Sequence, residues 1–162
     1  MQDRKLAAIM FADIVSYSRL MGTNESEALK LLSDFEEISA KIVDKFSGII
    51  IKKNGDQIFC EFTSTKNAVD ASLELQDELG KYNDSRPKDF KLEVRIGIHI
   101  GDVVKREDND IHGDGVNVAA RIQPLASPGG ICVSGAVSES LSSHPDYDII
   151  SKGEQELKNI LQ

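Results

Sequence analysis

The 162-residue chain has no tryptophan, only 6% aromatic residues, two cysteines, three histidines and four prolines. Two cysteines cannot build a disulfide framework, so Cys60 and Cys132 read as reduced thiols of a reducing compartment, each in apolar strand context. His99, His112 and His144 show no spacing with cysteine or carboxylate that resembles a zinc site. No apolar run approaches the ~18 residues of a membrane span, and the start MQDRK has no secretory apolar region. Positive charge is also scarce: 19 Lys and Arg against 27 Asp and Glu give −8, which argues against nonspecific binding to nucleic acid or anionic membrane. Walker A, GxGxxG and GxSxG patterns are missing, as are repeats and Pro/Gly/Ser-rich linkers. What is present, 40% apolar residues, suffices for one core and excludes global disorder. We therefore expect a single domain over residues 1–162, in the cytoplasm.

Periodicity sets the elements. Residues 6–15 (LAAIMFADIV) form an apolar run broken only by Asp13 and read as a buried strand. Residues 24–46 carry Leu31, Phe35, Ile38, Ile42 and Phe46 at helical spacing, with Asn24 as N-cap and Gly48 as stop. Residues 49–51 and 57–62 flank Asn54-Gly55, a strong hairpin signal. A helix over 66–79 and an alternating strand over 92–100 complete β-α-β-β-α-β, the ferredoxin-like α+β arrangement. A polar loop (105–112), a helix near 114–126, a short strand at 130–133 and a helix near 135–142 extend it.

Two aspartates stand out by position. Asp13 interrupts a buried strand near its end, and Asp56 lies beside the hairpin tip. The first and third strands are central neighbours in this fold, so both carboxylates fall at one sheet edge. Hard oxygen donors of that kind suit magnesium and phosphate chemistry with two ions. Each also has a local alternative: helix capping for Asp13 and ordinary turn chemistry for Asp56. In GVNVAAR, Asn117 and Arg121 share one helix face by i, i+4 spacing amid apolar residues. Arg121 is suited to a phosphate and Asn117 to a hydroxyl, with a structural salt bridge as the competing reading. Lys52 and Lys158 are less telling, since lysine at a strand edge is usually solvated.

These segments resemble the catalytic domain of class III adenylyl and guanylyl cyclases. FADIVSYS (11–18) is similar to the first metal motif of that family, KKNGDQIFCEF (52–62) to the second and RIGIHIGDVV (95–104) to the central strand. DIHGDGVNVAARI (110–122) resembles the loop and helix that hold ribose and phosphate, and SPGGICVS (127–134) the following strand. The resemblance covers about residues 5–160.

The resemblance implies a homodimer that converts ATP to 3′,5′-cyclic AMP and pyrophosphate by in-line attack of the ribose 3′-hydroxyl. Asp13, Asp56 and the Ile14 carbonyl would hold two divalent cations, Mg2+ or Mn2+. Lys52 and Asp110 match the pair that reads the purine and favour ATP, because guanylyl cyclases commonly carry Glu and Cys there. Asn117 would orient the ribose, Arg121 would offset charge on the α-phosphate, and Lys158 would contact the terminal phosphates. In the family, the metal residues and the base-reading residues of each site come from opposite subunits, so a monomer would be nearly inactive.

Some positions depart from the family pattern. Ser16-Tyr17-Ser18 replaces the usual Gly-Phe-Thr, and Asn54 makes the hairpin tip more polar. The chain stops soon after Lys158, where the family continues into a last strand. It is read as an excised catalytic domain whose sensor or membrane-anchoring domain lies outside it. A guanylyl or mixed-specificity cyclase and an inactive nucleotide-binding regulatory module are the alternatives. A diguanylate cyclase or polymerase palm shares the core, but GVNVAAR and the missing Gly-Gly-Asp/Glu-Glu-Phe hairpin argue against it.

Overall fold

A computed structural model of the protein describes residues 3–106, 110–144 and 146–149. Its long first strand, β1 (Asp3–Ile14), is followed by α1 (Tyr17–Thr23) and α2 (Glu25–Lys45). The hairpin β2 (Ile49–Asn54) and β3 (Gln57–Phe62) leads to α3 (Thr65–Asn83). After a 3₁₀ turn at Lys88–Phe90 come β4 (Val94–Lys105), β5 (Ile111–His112) and α4 (Asp114–Ile122). A second 3₁₀ turn, Gln123–Leu125, precedes β6 (Ile131–Val133) and α5 (Gly135–Ser140).

The strands lie in the order β2-β3-β1-β4-β5. β1 is antiparallel to both β3 and β4, as the ferredoxin-like expectation requires. The outer edge of β4 is shared: β6 pairs in parallel with Ile96–Ile98, and β5 pairs with Val104 and Lys105. No described helix is long and apolar enough to cross a membrane.

Alternation along β1 divides the core in two. Ala8, Met10, Ala12 and Ile14 face a large cluster with Leu31, Phe35 and Ile42 of α2, and Ala68, Leu75 and Leu79 of α3. Fully burying each of the larger side chains is worth about 1.5–3 kcal/mol. Ala7, Ile9 and Phe11 face the other way, against Phe59, Val103, Ile111 and Ala119 of α4. Asp13 is the next residue in that second series. Glycines on β4 set how closely this side is covered: a Cβ on Gly97 would stand 2.4 Å from the Gln123 Cα, and one on Gly101 3.2 Å from the Gly115 Cα. The absence of side chains there lets α4 and the turn after it lie directly on β4.

The local patterns recur in the structure with five differences. Asn24 caps α2, its side chain accepting the Glu27 N–H at 3.1 Å. The end of α2, however, is not made by a left-handed Gly48. Ser47 takes the positive φ of 61°, while Ser47 N–H donates to the Asp44 carbonyl and Gly48 N–H to that of Val43. That is a Schellman ending with serine at its glycine position. Gly48 is needed for space instead, because a Cβ there would meet the Phe62 ring at 2.4 Å.

The hairpin turn is displaced by one residue. Asn54 pairs with Gln57, so the two central residues are Gly55 and Asp56, with Gly55 at φ 63° in the first position. The expected helix over 114–126 stops at Ile122 and tightens into the 3₁₀ turn, where Pro124 cannot continue an α-helix. The polar loop over 105–112 also contains the short strand β5, and α1 was not expected at all.

Candidate active site

Asp13 and Asp56 meet at one end of the sheet. Asp13 pairs in register with Gln57, the residue after Asp56. Asp56 does not spend its carboxylate within its own turn. Its Oδ2 accepts the backbone N–H of Ile14 at 3.2 Å, across 42 residues of sequence. Asp13 caps no helix: the N-cap of α1 is Ser16, with no side-chain cap bond, and that of α2 is Asn24. Asp13 is thus not a helix cap, and the Asp56 carboxylate bonds outside its own turn.

Burial pushes the Asp13 carboxyl above the ordinary carboxylate range, and the neighbouring Asp56 pushes the same way. Against them act a 2.7 Å hydrogen bond from Gln123 Nε2 to Asp13 Oδ1 and the positive charge of Arg95. Burial followed by the charges of Asp56, Glu36 and Glu25 likewise raises the Tyr17 phenol. At this corner burial and like charge outweigh the opposing help of Gln123 and Arg95. Two hard, mutually repelling oxygen donors fit a divalent cation. Among the described residues, no third His, Cys, Asp or Glu joins them. Such a donor set suits an ion that completes its shell with water and phosphate oxygens. A cleft of about 500 Å³ adjoins it, lined by Ile14, Ser16 and Arg19 on one side and Lys88, Lys91 and Glu93 on the other.

Ser16 has φ 60° and ψ 29°, the left-handed region. Glycine is the strain-free residue for that conformation. The serine at this point of FADIVSYS therefore holds a turn that costs a non-glycine residue about 1 kcal/mol or more.

A second group forms around Lys52 of β2. Its Nζ lies 3.8 Å from Asp110 Oδ2, and His112 Nε2 approaches the same oxygen at 3.4 Å. The other oxygen, Asp110 Oδ1, accepts the Ile111 N–H at 2.9 Å, which fixes the carboxylate. Lys52 and Asp110 start from opposite edges of the sheet, one on β2 and the other just before β5, so their meeting is a long-range outcome. An ion pair whose lysine is 61% exposed adds little to stability, so folding alone does not demand it.

Asn117 and Arg121 lie on α4, Asn117 exposed and Arg121 partly buried. Among the described residues, neither side chain has a hydrogen bond, and Arg121 has no ion pair. The salt bridge weighed as its competing role is thus missing from that set. Lys158 falls outside the described residues.

Two residues near the aspartates were not singled out from sequence. Arg95 is the register partner of Asp13 on β4, and its Nε donates to the Ala126 carbonyl at 2.9 Å. Gln123, 2% exposed, holds Asp13 from the turn after α4. Arg95 could have been found by laying the alternating strand against residues 6–15 in antiparallel register. Gln123 offered no signal beyond being a polar residue at the end of an apolar helix.

Comparison with known proteins decides the family. The model of the adenylate and guanylate cyclase catalytic domain matches residues 1–161. The chain belongs to this family. The cyclase domain is 40% identical over 158 residues to a Rhizobium meliloti protein provisionally named adenylate cyclase 3, covering 97% of this chain and 27% of that protein. It is 32% identical over 159 residues to an adenylate cyclase of Anabaena cylindrica, across 87% of this chain and 32% of the relative. It therefore spans about a third or less of these two relatives. Among solved structures, an adenylate/guanylate cyclase/hydrolase of Silicibacter pomeroyi is 36% identical, with a TM-score of 0.92 over 100% of this chain and 94% of that one.

Proposed function

We propose that the cyclase domain converts ATP to 3′,5′-cyclic AMP and pyrophosphate as a homodimer. The observation that carries the proposal is the bond from Ile14 N–H to Asp56 Oδ2, which sets two carboxylates side by side at the end of the central strands. Asp13 and Asp56 would hold two divalent cations, Mg2+ or Mn2+. The Ile14 carbonyl would join them, since an extended residue directs its N–H and C=O to the same neighbour. Such ions, when bound, lower the pKa of the ribose 3′-hydroxyl and offset phosphate charge.

The remaining roles belong to side chains. Arg121 offers a guanidinium to the α-phosphate, where charge grows as the 3′-hydroxyl attacks and pyrophosphate leaves. Asn117 orients the ribose by hydrogen bonding. Lys158 is assigned to the terminal phosphates by the family resemblance alone. Lys52 and Asp110 present a donor beside an acceptor, which complements the N1 and exocyclic amine of adenine. Guanine presents the reverse, N1–H and O6, and would leave both protein groups facing their own kind.

In a two-fold dimer each site would combine Asp13 and Asp56 of one chain with Lys52, Asp110, Asn117 and Arg121 of the other. A regulatory or sensor domain elsewhere in the full protein is part of the same reading, as is a cytoplasmic location. The test is product formation from ATP and from GTP, with Mg2+ or Mn2+, over a range of protein concentrations. Cyclic AMP from ATP, with specific activity rising with concentration, is expected. Equal or greater turnover of GTP would overturn the base assignment. No product from either nucleotide in the dimeric protein would favour a binding-only module.

A further inference from the structure

Gln123 is a polar side chain placed where the fold would accept an apolar one. It is 2% exposed, in the 3₁₀ turn that ends α4. Its backbone sits so close to β4 that a Cβ on Gly97 would come within 2.5 Å of the Gln123 nitrogen. The side chain is thus delivered by a backbone that lies directly against β4. Its single Nε2 group donates twice, to Asp13 Oδ1 at 2.7 Å and to the Arg95 carbonyl at 3.1 Å.

Those two partners use both Nε2 hydrogens. The Arg95 carbonyl is part of the strand that pairs with β1, so one N–H anchors Gln123 to the sheet and the other reaches the carboxylate. A hydrogen bond to one oxygen restricts rotation of the carboxylate about its terminal torsion. Left alone, Asp13 would turn to reduce its repulsion with Asp56 and gain water. Held by Oδ1, it keeps Oδ2 directed away from Gln123 and available for a cation.

We infer that Gln123 is a positioning residue for the metal centre, locking the Asp13 carboxylate so that one oxygen is presented to a divalent cation. The inference rests on the assignment of Asp13 as a metal ligand. Hydrogen-bonding partners of metal ligands commonly govern affinity by about 10–100-fold. Gln123 acts on the ion through Asp13 and does not itself touch substrate.

The experiment measures Mn2+ binding by electron paramagnetic resonance, with a non-hydrolysable ATP analogue present, and separately the metal dependence of turnover. Gln123→Met keeps length and volume while removing both donors. It should weaken Mn2+ binding about 10–100-fold and raise the metal concentration for half-maximal turnover by a similar factor. The rate at saturating Mn2+ should recover to within about 3-fold, because excess ion selects the productive rotamer; a role confined to folding would not give this split. Gln123→Glu, nearly isosteric, should weaken Mn2+ more, since a carboxylate replaces the donor beside Asp13. In an Asp13→Asn background, Gln123→Met should cause no further loss.

A Gln123→Met protein that melts lower yet binds Mn2+ like the wild type would overturn the inference while leaving the metal assignment intact. Unchanged or tighter binding by Gln123→Glu would overturn it as well, and covers the case in which the methionine variant does not fold. Absence of Mn2+ binding by the wild type would remove the metal assignment, and the inference with it.

Discussion

The two faces of β1 are built from the same strand and serve opposite ends. On one, Ala8, Met10, Ala12 and Ile14 lie under α2 and α3 with no charged residue in the series. On the other, Ala7, Ile9 and Phe11 lead to Asp13, and β4 contributes Arg95, two glycines and His99 where its side toward α2 and α3 has Val94, Ile96 and Ile98. The first face can be packed for stability alone. The second gives up apolar burial and desolvates a carboxylate to bring polar groups together. Candidate chemistry in this domain thus gathers on the face whose apolar pattern is broken.

Truncating one residue on each face should have opposite effects. Asp13→Ala or Asp56→Ala should abolish cyclic nucleotide formation while leaving the assembled protein folded, checked by turnover alongside size-exclusion chromatography. Near-normal activity in either would remove the metal assignment. Phe35→Ala, on the face covered by α2 and α3, should do the reverse. Its fully buried ring is worth about 3–5 kcal/mol on truncation, a Tm loss of roughly 6–20 °C, with activity surviving below the new melting point.

Gly97→Ala sits between these extremes. The added Cβ would meet the Gln123 backbone, which has no flexible end to yield. We expect about 1–3 kcal/mol of destabilisation by thermal melting. A disproportionate drop in metal-dependent activity should accompany it, because α4 and the Gln123 turn are displaced from β4.

Two smaller effects refine the picture. Asp13 has its folded-state pKa raised, mainly by burial, so its ionised form opposes folding. The stability it contributes is full below the unfolded carboxylate pKa and is lost as pH rises through the higher folded value. Asp13→Asn should therefore melt above the wild type near pH 7 in metal-free buffer. The difference should shrink as pH falls toward the ordinary carboxylate range, and a constant offset would contradict this. Least of all, Ser47→Gly should stabilise by about 0.5–1 kcal/mol without touching activity, since it relieves a positive φ at the end of α2.

Legibility followed the range of the interactions. The alternation of β1 and β4, the amphipathic α2 and its Asn24 cap are local patterns, and the structure has them nearly where the sequence puts them. Asp13 was visible because a charge interrupts an apolar run, and Asp56 because it adjoins a turn. The exact turn was not, since Asn-Gly and Gly-Asp both suit two-residue loops and only the β2–β3 register chooses between them. α1 has no buried residue and one full turn beyond the minimum, too little for a periodic signal. Gln123 was invisible for a different reason, since it matters through a partner far away in sequence, whereas Arg95 needed the antiparallel register of β1 and β4 to be drawn. Burial also pushes the Cys60 thiol up to about 12.

In the proposed dimer one chain supplies two different halves of a site, the Asp13–Asp56 end and the Lys52–Asp110–Arg121 region, each completed by a partner copy. Mixing Asp13→Ala protein with Arg121→Ala protein, each inactive by itself, tests it most directly. Heterodimers should regain cyclic AMP formation, because one of their two sites then contains both an intact Asp13 and an intact Arg121. If heterodimers form, as shown by co-purification of two differently tagged chains, and no activity returns, the two halves do not belong to a shared site.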